Sequence, residues 1–182
     1  MHYKLRSTHI NYPGRAFTVR RDTLALPDGR ETHLDIVEHV GSVVLLPIDE
    51  LGRLLFVRQY RHAAGKEMLE LPAGTLDEGE LPMDCARREL REETGMDAGR
   101  LEQLGGFYLA PGYSTEFMTV FLATDLLPAP LPPDEDEFLA LQPVPLDETW
   151  EMVDRGDLPD AKSLAALALA RKHIQKGGRQ PL

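Results

Sequence analysis

A single cysteine, Cys85, among 182 residues leaves no internal disulfide, which excludes the disulfide-built secreted scaffolds. No apolar run approaches the roughly eighteen residues of a membrane-spanning helix. The opening Met1-His2-Tyr3-Lys4-Leu5-Arg6 reaches charge at once, without the apolar stretch of a signal peptide. A cytoplasmic protein is therefore expected. Basic charge is scarce as well: 20 Lys+Arg stand against 30 Asp+Glu, a net charge of −10. No basic run offers a footprint for nucleic acid phosphates, so neither nucleic acid nor membrane is an expected partner. An acidic chain can still bind an anionic small molecule, provided that local arginines or metal ions stand at the site.

What is there fits an ordinary globular chain. At about 150 residues per domain the length amounts to one domain, enough to bury about 70% of the surface that the unfolded form exposes. Hydrophobic residues make up 42% and charged residues 27%, which excludes global disorder and collagen-like repeats. Residues 16–26 and 31–39 read as a hairpin joined at Pro27-Asp28-Gly29. Residues 41–48 and 53–60 read as strands either side of the turn Asp49-Glu50-Leu51-Gly52. Their near-continuous apolar character predicts burial on both faces. Further strands are expected at 68–72, 104–110, 116–124 and 138–144, with a loop over 73–79 between the first of these and a helix. That helix is expected over 82–94, with Pro82 in its first turn and Gly95 just past its end. Two more helices close the chain at 147–155 and 161–176, the second capped by Asp160. Strands without regular βαβ alternation predict an α+β fold, a mixed sheet with helices on its faces. Residues 1–40 form an N-terminal antiparallel hairpin segment and 41–182 the main domain, with the Pro-rich, then acidic stretch 127–137 as a loop inside it.

Chemistry concentrates on the helix over 82–94. Glu89 and Glu93 are four apart, one above the other, and Glu92 is three from Glu89, so the three acids share a flank. Like charges at this spacing cost an isolated helix a few tenths of a kcal/mol. They also stand near its C-terminal end, where the dipole disfavours anions. A helix that breaks two rules in one turn invites a compensating cation, and oxygen-only ligands suit Mg²⁺ or Mn²⁺ rather than zinc. The six histidines do not cluster. Met83, Ala86 and Leu90 form an apolar seam for docking on the sheet, and Arg88 can hold Glu92. Backbone carbonyls of Leu71-Pro72-Ala73-Gly74 could complete a metal shell. Cys85 reads as a buried neutral thiol, and Trp150 and Met152 as helix packing. The bland alternative is a surface helix whose acids and arginines merely pair. Against it stands the whole run from Gly74 to Met96: Gly-x5-Glu-x7-Arg-Glu-apolar-x-Glu-Glu-x-Gly-apolar. At ordinary residue frequencies its chance occurrence in such a chain is roughly one in ten million.

Residues 74–96 resemble the Nudix box at every specified position. The resemblance implies the Nudix α/β/α sandwich. It also implies a hydrolase of nucleoside diphosphates linked to another moiety, using two or three Mg²⁺ (or Mn²⁺) ions. By the same match Glu89 and Glu93 are metal ligands, Glu92 is a third, and the Ala73 carbonyl is a further one. Arg88 and Glu80 orient the acids, while Gly74 and Gly95 shape the loops.

The flanks are similar to the ADP-ribose pyrophosphatase subgroup. The residues concerned are Pro111, sixteen beyond Gly95 within Ala110-Pro111-Gly112-Tyr113, together with Val57-Arg58-Gln59-Tyr60-Arg61 and Leu69-Glu70-Leu71-Pro72-Ala73-Gly74. That similarity implies substrate contacts from Arg58, from Arg61 at the diphosphate, from Glu70 near adenine or ribose, and from Pro111 with Gly112. It implies a homodimer formed partly through the N-terminal sheet. The base that deprotonates the attacking water would come from the acidic loop after the box, Glu137 first and Glu135 second, with Glu92 of the helix behind them. The implied reaction is Mg²⁺-dependent hydrolysis of ADP-ribose to AMP and ribose 5-phosphate. Two alternatives stay open: hydrolysis of another NDP-sugar such as GDP-mannose, and a non-catalytic nucleotide-sugar sensor, which need not retain the three acids. Pro111 and the N-terminal hairpin argue against a hydrolase of mutagenic nucleotides or dinucleoside polyphosphates.

Overall fold

The computed structural model describes residues 2–132 and 138–174, and these fall into two compact units. The first, up to Gly41 together with Tyr108–Phe117, holds β1 (Lys4–Pro13), β2 (Thr18–Ala25) and β3 (Glu31–Glu38) as an antiparallel sheet in that order. The expected hairpin is its β2–β3 half. The turn is tight: Gly29 N–H donates to the Leu26 carbonyl at 3.0 Å and Leu26 N–H to the Arg30 carbonyl at 2.8 Å. Gly29 holds a φ of +88°, a conformation that glycine adopts without Cβ strain. The sequence pattern does not announce β1. All ten of its residues are exposed, so no buried face imposes the alternation by which a strand is read. Backbone register holds it instead, from Lys4 opposite Ala25 to Pro13 opposite Thr18, helped by Thr8 Oγ1 donating to Asp22 Oδ1 at 2.7 Å.

The second unit, Ser42–Phe107 and from Met118 onward, carries the remaining elements. In chain order these are β4 (Ser42–Pro47), β5 (Arg53–Arg61), β6 (Lys66–Glu70), β7 (Ala73–Thr75), α1 (Pro82–Thr94) and β8 (Met96–Tyr108). There follow β9 (Phe117–Pro128), β10 (Ala140–Pro145), α2 (Leu146–Arg155) and α3 (Ala161–Ile174). One sheet has the order β7-β4-β9-β8, with β4 and β9 parallel and β4 and β7 antiparallel; the other is the antiparallel β10-β5-β6. The turn at Asp49–Gly52 is present, with Gly52 N–H donating to the Asp49 carbonyl at 3.0 Å. The strands it joins belong to different sheets, linked by the Ile48–Leu54 bridge and by the Asp49 N–H on the Arg53 carbonyl at 3.0 Å. β10 keeps Pro143 and Pro145 because it is an edge strand, pairing with β5 alone.

Parity along β4 explains its unbroken apolar run. Val43 and Leu45 pack with Cys85, Ala86 and Leu90 of α1 and with Phe121 and Ala123 of β9. Val44 and Leu46 pack on the other face with Ala166, Leu167 and Ala170 of α3 and with Phe56 and Leu71. Both faces are therefore covered, and the unit is an α+β sandwich with α1 on one side of the sheet and α3 on the other. The seam of α1 differs from expectation by one residue: Met83 is 38% exposed, and Cys85, fully buried, takes its place beside Ala86 and Leu90. The buried stripe of α1 runs through Cys85, Ala86, Glu89, Leu90 and Glu93, and Met83 lies off that stripe.

Candidate active site

The chain reaches the site through Leu71–Thr75. Leu71 is fully buried, Leu45 N–H donates to the Pro72 carbonyl at 2.9 Å, and β7 pairs Ala73 with Val44 and Gly74 with Val43. A segment that the sequence presents as a loop is thus begun by a strand, fixed by backbone pairing that no side-chain pattern records. Across from it, docking of α1 through Ala86 and Leu90 turns Glu89 and Glu93 inward, both 8% exposed. Glu93 Oε2 accepts the Ala73 N–H at 3.0 Å. Glu89 occupies the space that a side chain at residue 74 would need: a Cβ on Gly74 would fall 1.8 Å from its carboxylate carbon and Oε1. Gly95 ends α1 with a φ of +72° and its N–H on the Arg91 carbonyl.

Arg88 organises the acids. Its Nε and Nη2 donate to the two carboxylate oxygens of Glu80 at 3.0 and 2.9 Å. Its Nη1 reaches Glu89 Oε1 at 2.6 Å and Glu92 Oε2 at 3.0 Å, and Nη2 also meets the Thr75 carbonyl at 3.1 Å. Hydrogen bonds from Arg88, working against partial burial, lower the Glu80 carboxyl to about 2. The guanidinium is correspondingly held more firmly protonated, above all by Glu80. Burial, with the charges of Glu80 and Glu89, pushes the Cys85 thiol up, so it stays a neutral core group.

Among the described residues no three His, Cys, Asp or Glu side chains already converge on one ion; Glu89 and Glu92 turn to Arg88 instead. The donor set nevertheless fits a hard divalent cation. Three carboxylates share one flank, Gly74 leaves the room that Glu89 occupies, and the donors are all oxygen. A cation entering there would take over charge that the guanidinium now balances.

A second cluster lies on β6, the end of β5 and the start of α3. Arg61 and Glu70 form a two-pronged pair, Nε to Oε1 at 2.8 Å and Nη2 to Oε2 at 2.6 Å. The Glu70 side chain is 2% exposed and that of Arg61 43%. Lys162 of α3 binds the same Glu70 oxygen and reaches Asp160 Oδ2 at 2.9 Å. Burial pushes the Glu70 carboxyl up, but the hydrogen bonds from Arg61 and the charge of Lys162 outweigh it and hold the group below the usual carboxylate range. Asp160 caps α3, accepting from the Ser163 N–H at 3.1 Å and the Ser163 hydroxyl at 2.5 Å. The Ser163 hydroxyl accepts the Leu71 N–H at 2.8 Å, which ties α3 to the segment leading into β7. Arg58, three residues from Arg61, lies on the opposite face of β5 and donates to Gln142 Oε1 at 2.8 Å. Lys162, Asp160 and Ser163 carry no motif; the packing of α3 on β4 and the Ser163–Leu71 hydrogen bond bring them to the buried Glu70.

The chain leaving β9 is pinned to the C-terminal turn of α1. Ala129 N–H donates to the Gly95 carbonyl at 2.9 Å, Leu131 N–H to the Arg91 carbonyl at 3.2 Å, and Arg91 Nε to the Ala129 carbonyl at 2.9 Å. Arg91 sits at an unspecified position of the 74–96 pattern, so the sequence gives it no role. Glu135 and Glu137 lie outside the described residues. Pro111 and Gly112 stand in a turn of the first unit, closed by Tyr113 and Ser114 N–H donating to the Ala110 carbonyl at 3.1 and 2.8 Å.

Comparison with known proteins adds four likenesses. The family described as "NUDIX domain" matches residues 38–167. The ADP-ribose pyrophosphatase of Bacillus subtilis (strain 168) is 35% identical over 158 residues, 86% of this chain and 85% of that protein. A GDP-mannose pyrophosphatase of Enterobacter sp. (strain 638) is 32% identical over 136 residues, 70% of this chain and 71% of that one. Among solved structures, one titled as the crystal structure of an ADP compounds hydrolase superposes with a TM-score of 0.86 at 28% identity, covering 99% of this chain and 98% of its own.

Proposed function

The chain belongs to the Nudix hydrolase family, and from that premise we propose that it hydrolyses the diphosphate of ADP-ribose, with Mg²⁺, to AMP and ribose 5-phosphate. The observation that carries the reading is the closure of α1 on β7: Glu89 in the space beside Gly74, Glu93 on the Ala73 N–H, and Arg88 spanning Glu80, Glu89 and Glu92.

We assign Glu89 and Glu93, with Glu92 and the Ala73 carbonyl, to hold two or three Mg²⁺ (or Mn²⁺) ions. When bound, such ions screen the diphosphate charge and acidify the attacking water. Arg88, fixed at one end by Glu80, keeps Glu89 and Glu92 from springing apart before a cation arrives. Arg61 supplies a fixed positive group to the diphosphate, and Glu70, assigned near adenine or ribose, pairs with Arg61 from the buried side. Arg58, Pro111 and Gly112 remain assigned to the substrate. We assign Glu137, then Glu135, to accept the proton of the attacking water, with Glu92 as the fallback. Support for the loop comes from Ala129 and Leu131, hydrogen-bonded to the turn of α1 that carries the acids. The protein acts as a homodimer through the N-terminal sheet, where Leu5, Ile10 and Tyr12 of β1 are exposed in the single chain. A cytoplasmic location fits the buried, unpaired Cys85.

The test is kcat/KM with Mg²⁺ on ADP-ribose, GDP-mannose, FAD, diadenosine polyphosphates and 8-oxo-dGTP. ADP-ribose is expected to lead, with AMP as product. GDP-mannose in the lead would move the assignment to the other sugar nucleotide. Binding of ADP-ribose without turnover would make the protein a sensor.

A further inference from the structure

We propose that Lys162 is a positioning residue for substrate binding: it neutralises Glu70 from the buried side and so leaves the charge of Arg61 to the substrate diphosphate. The inference rests on the assignment of Arg61 to the diphosphate. Arg61 and Glu70 alone form a closed neutral pair, with two parallel hydrogen bonds, and a neutral pair attracts an anion weakly. Lys162 changes that balance by binding the oxygen, Glu70 Oε2, that Arg61 Nη2 also uses. The row is graded in exposure. The side chains of Glu70 and Lys162 are 2% and 11% exposed, whereas the guanidinium end is open to solvent. Asp160 Oδ2, which Lys162 also binds, adds a second carboxylate to the row and accepts from the Ser163 N–H and hydroxyl as well.

A buried ammonium is costly unless paired, and the buried carboxylate already has a complete partner in Arg61. Packing alone would be served by an apolar residue. What the second cation does is match the second carboxylate: without Lys162 the row would set Arg61 alone against both Glu70 and Asp160, and with it the row is balanced, so less of the guanidinium charge is taken up by Glu70. α3 is anchored as well by the Ser163 hydroxyl on the Leu71 N–H.

The experiment is a double-mutant cycle of Arg61→Ala and Lys162→Gln, read as kcat and KM for ADP-ribose at saturating Mg²⁺. Glutamine keeps an N–H donor on a side chain one bond shorter and removes the charge. Lys162→Gln is expected to lower kcat/KM about tenfold, chiefly through KM, and in the Arg61→Ala background to change it less than about twofold. Lys162→Arg should recover most of the loss. If Arg61→Ala binds and turns over substrate normally, Arg61 is not at the diphosphate and the inference fails with that assignment. If Arg61→Ala is impaired while Lys162→Gln is normal, or its loss simply multiplies that of Arg61→Ala, the inference alone is overturned. Should Lys162→Gln fail to fold by circular dichroism, Lys162→Arg decides. A KM near wild type supports the charge role, and a KM raised as far as in Arg61→Ala refutes it.

Discussion

Gly74→Ala separates function from stability at the point where β7 meets α1. The added Cβ would stand 1.8 Å from the Glu89 carboxylate carbon and Oε1 and 2.4 Å from Oε2. Ordinary contact needs about 3.4 Å, so the carboxylate must retreat by about 1.6 Å. Glu89 is the far end of a flexible side chain, and Gly74 is not among the residues with a positive φ. The retreat therefore costs little in folding, and alanine also restricts the unfolded chain, so stability should change by no more than about 1 kcal/mol. For catalysis the same movement is large. Mg²⁺ ligands sit at about 2.0–2.1 Å with little tolerance, and a misplacement of about 1 Å in an active site can cost a hundredfold. A fall in kcat of at least about a hundredfold is expected, equivalent to roughly 2.7 kcal/mol of transition-state stabilisation, together with a higher Mg²⁺ requirement. The assay is initial rates on ADP-ribose across a Mg²⁺ series, paired with thermal melting by circular dichroism. Wild-type kcat and Mg²⁺ dependence would refute the assignment of Glu89 as a ligand. A collapsed Tm would show that the space at residue 74 serves folding rather than the site.

Three further outcomes are expected. Glu80, lowered from an ordinary 4.5 to about 2 by Arg88, contributes stability that is present above pH 4.5 and is lost as pH falls toward about 2. The Tm gap between wild type and Glu80→Gln should accordingly close across that window, and a gap that is unchanged with pH would contradict the pairing. Light scattering at micromolar concentration should give two protomers per particle, since a small sheet with no buried face on β1 gains from packing on a second copy; a monomer would reject this. Glu137→Gln should lower kcat at least about a hundredfold with little change in KM, and the matched Glu135→Gln much less. The reverse ranking would keep the loop and change the residue, while near-normal turnover in both would move the base to Glu92.

Reading the sequence recovers what periodicity and turn chemistry encode. Pro82 and Gly95 bracket α1 to the residue, the buried run of β4 announces a strand covered on both faces, and Asp160 caps α3. β1 stays hidden because it buries nothing, and β7 because its pairing with β4 is carried by the backbone of Ala73 and Gly74. The box acids are legible because three carboxylates on one flank violate helix preferences unless a charge meets them. Lys162 is illegible for the converse reason. A lone lysine in the first turn of a helix opposes the dipole only weakly, and its burial follows from α3 packing on β4. Arg91 likewise looks like any surface arginine until its guanidinium meets the Ala129 carbonyl.

The acids of α1 are assigned to hold the cation that makes diphosphate hydrolysis possible. Release of AMP from ADP-ribose by wild type and by Glu93→Gln, both folded by circular dichroism and both at saturating Mg²⁺, tests this assignment most directly. Removing a ligand should lower kcat at least about a hundredfold, because the cation supplies several kcal/mol of charge stabilisation at the reacting phosphate. Glu89→Gln should follow in the same direction with a smaller loss. Equal turnover by Glu93→Gln and wild type would contradict it.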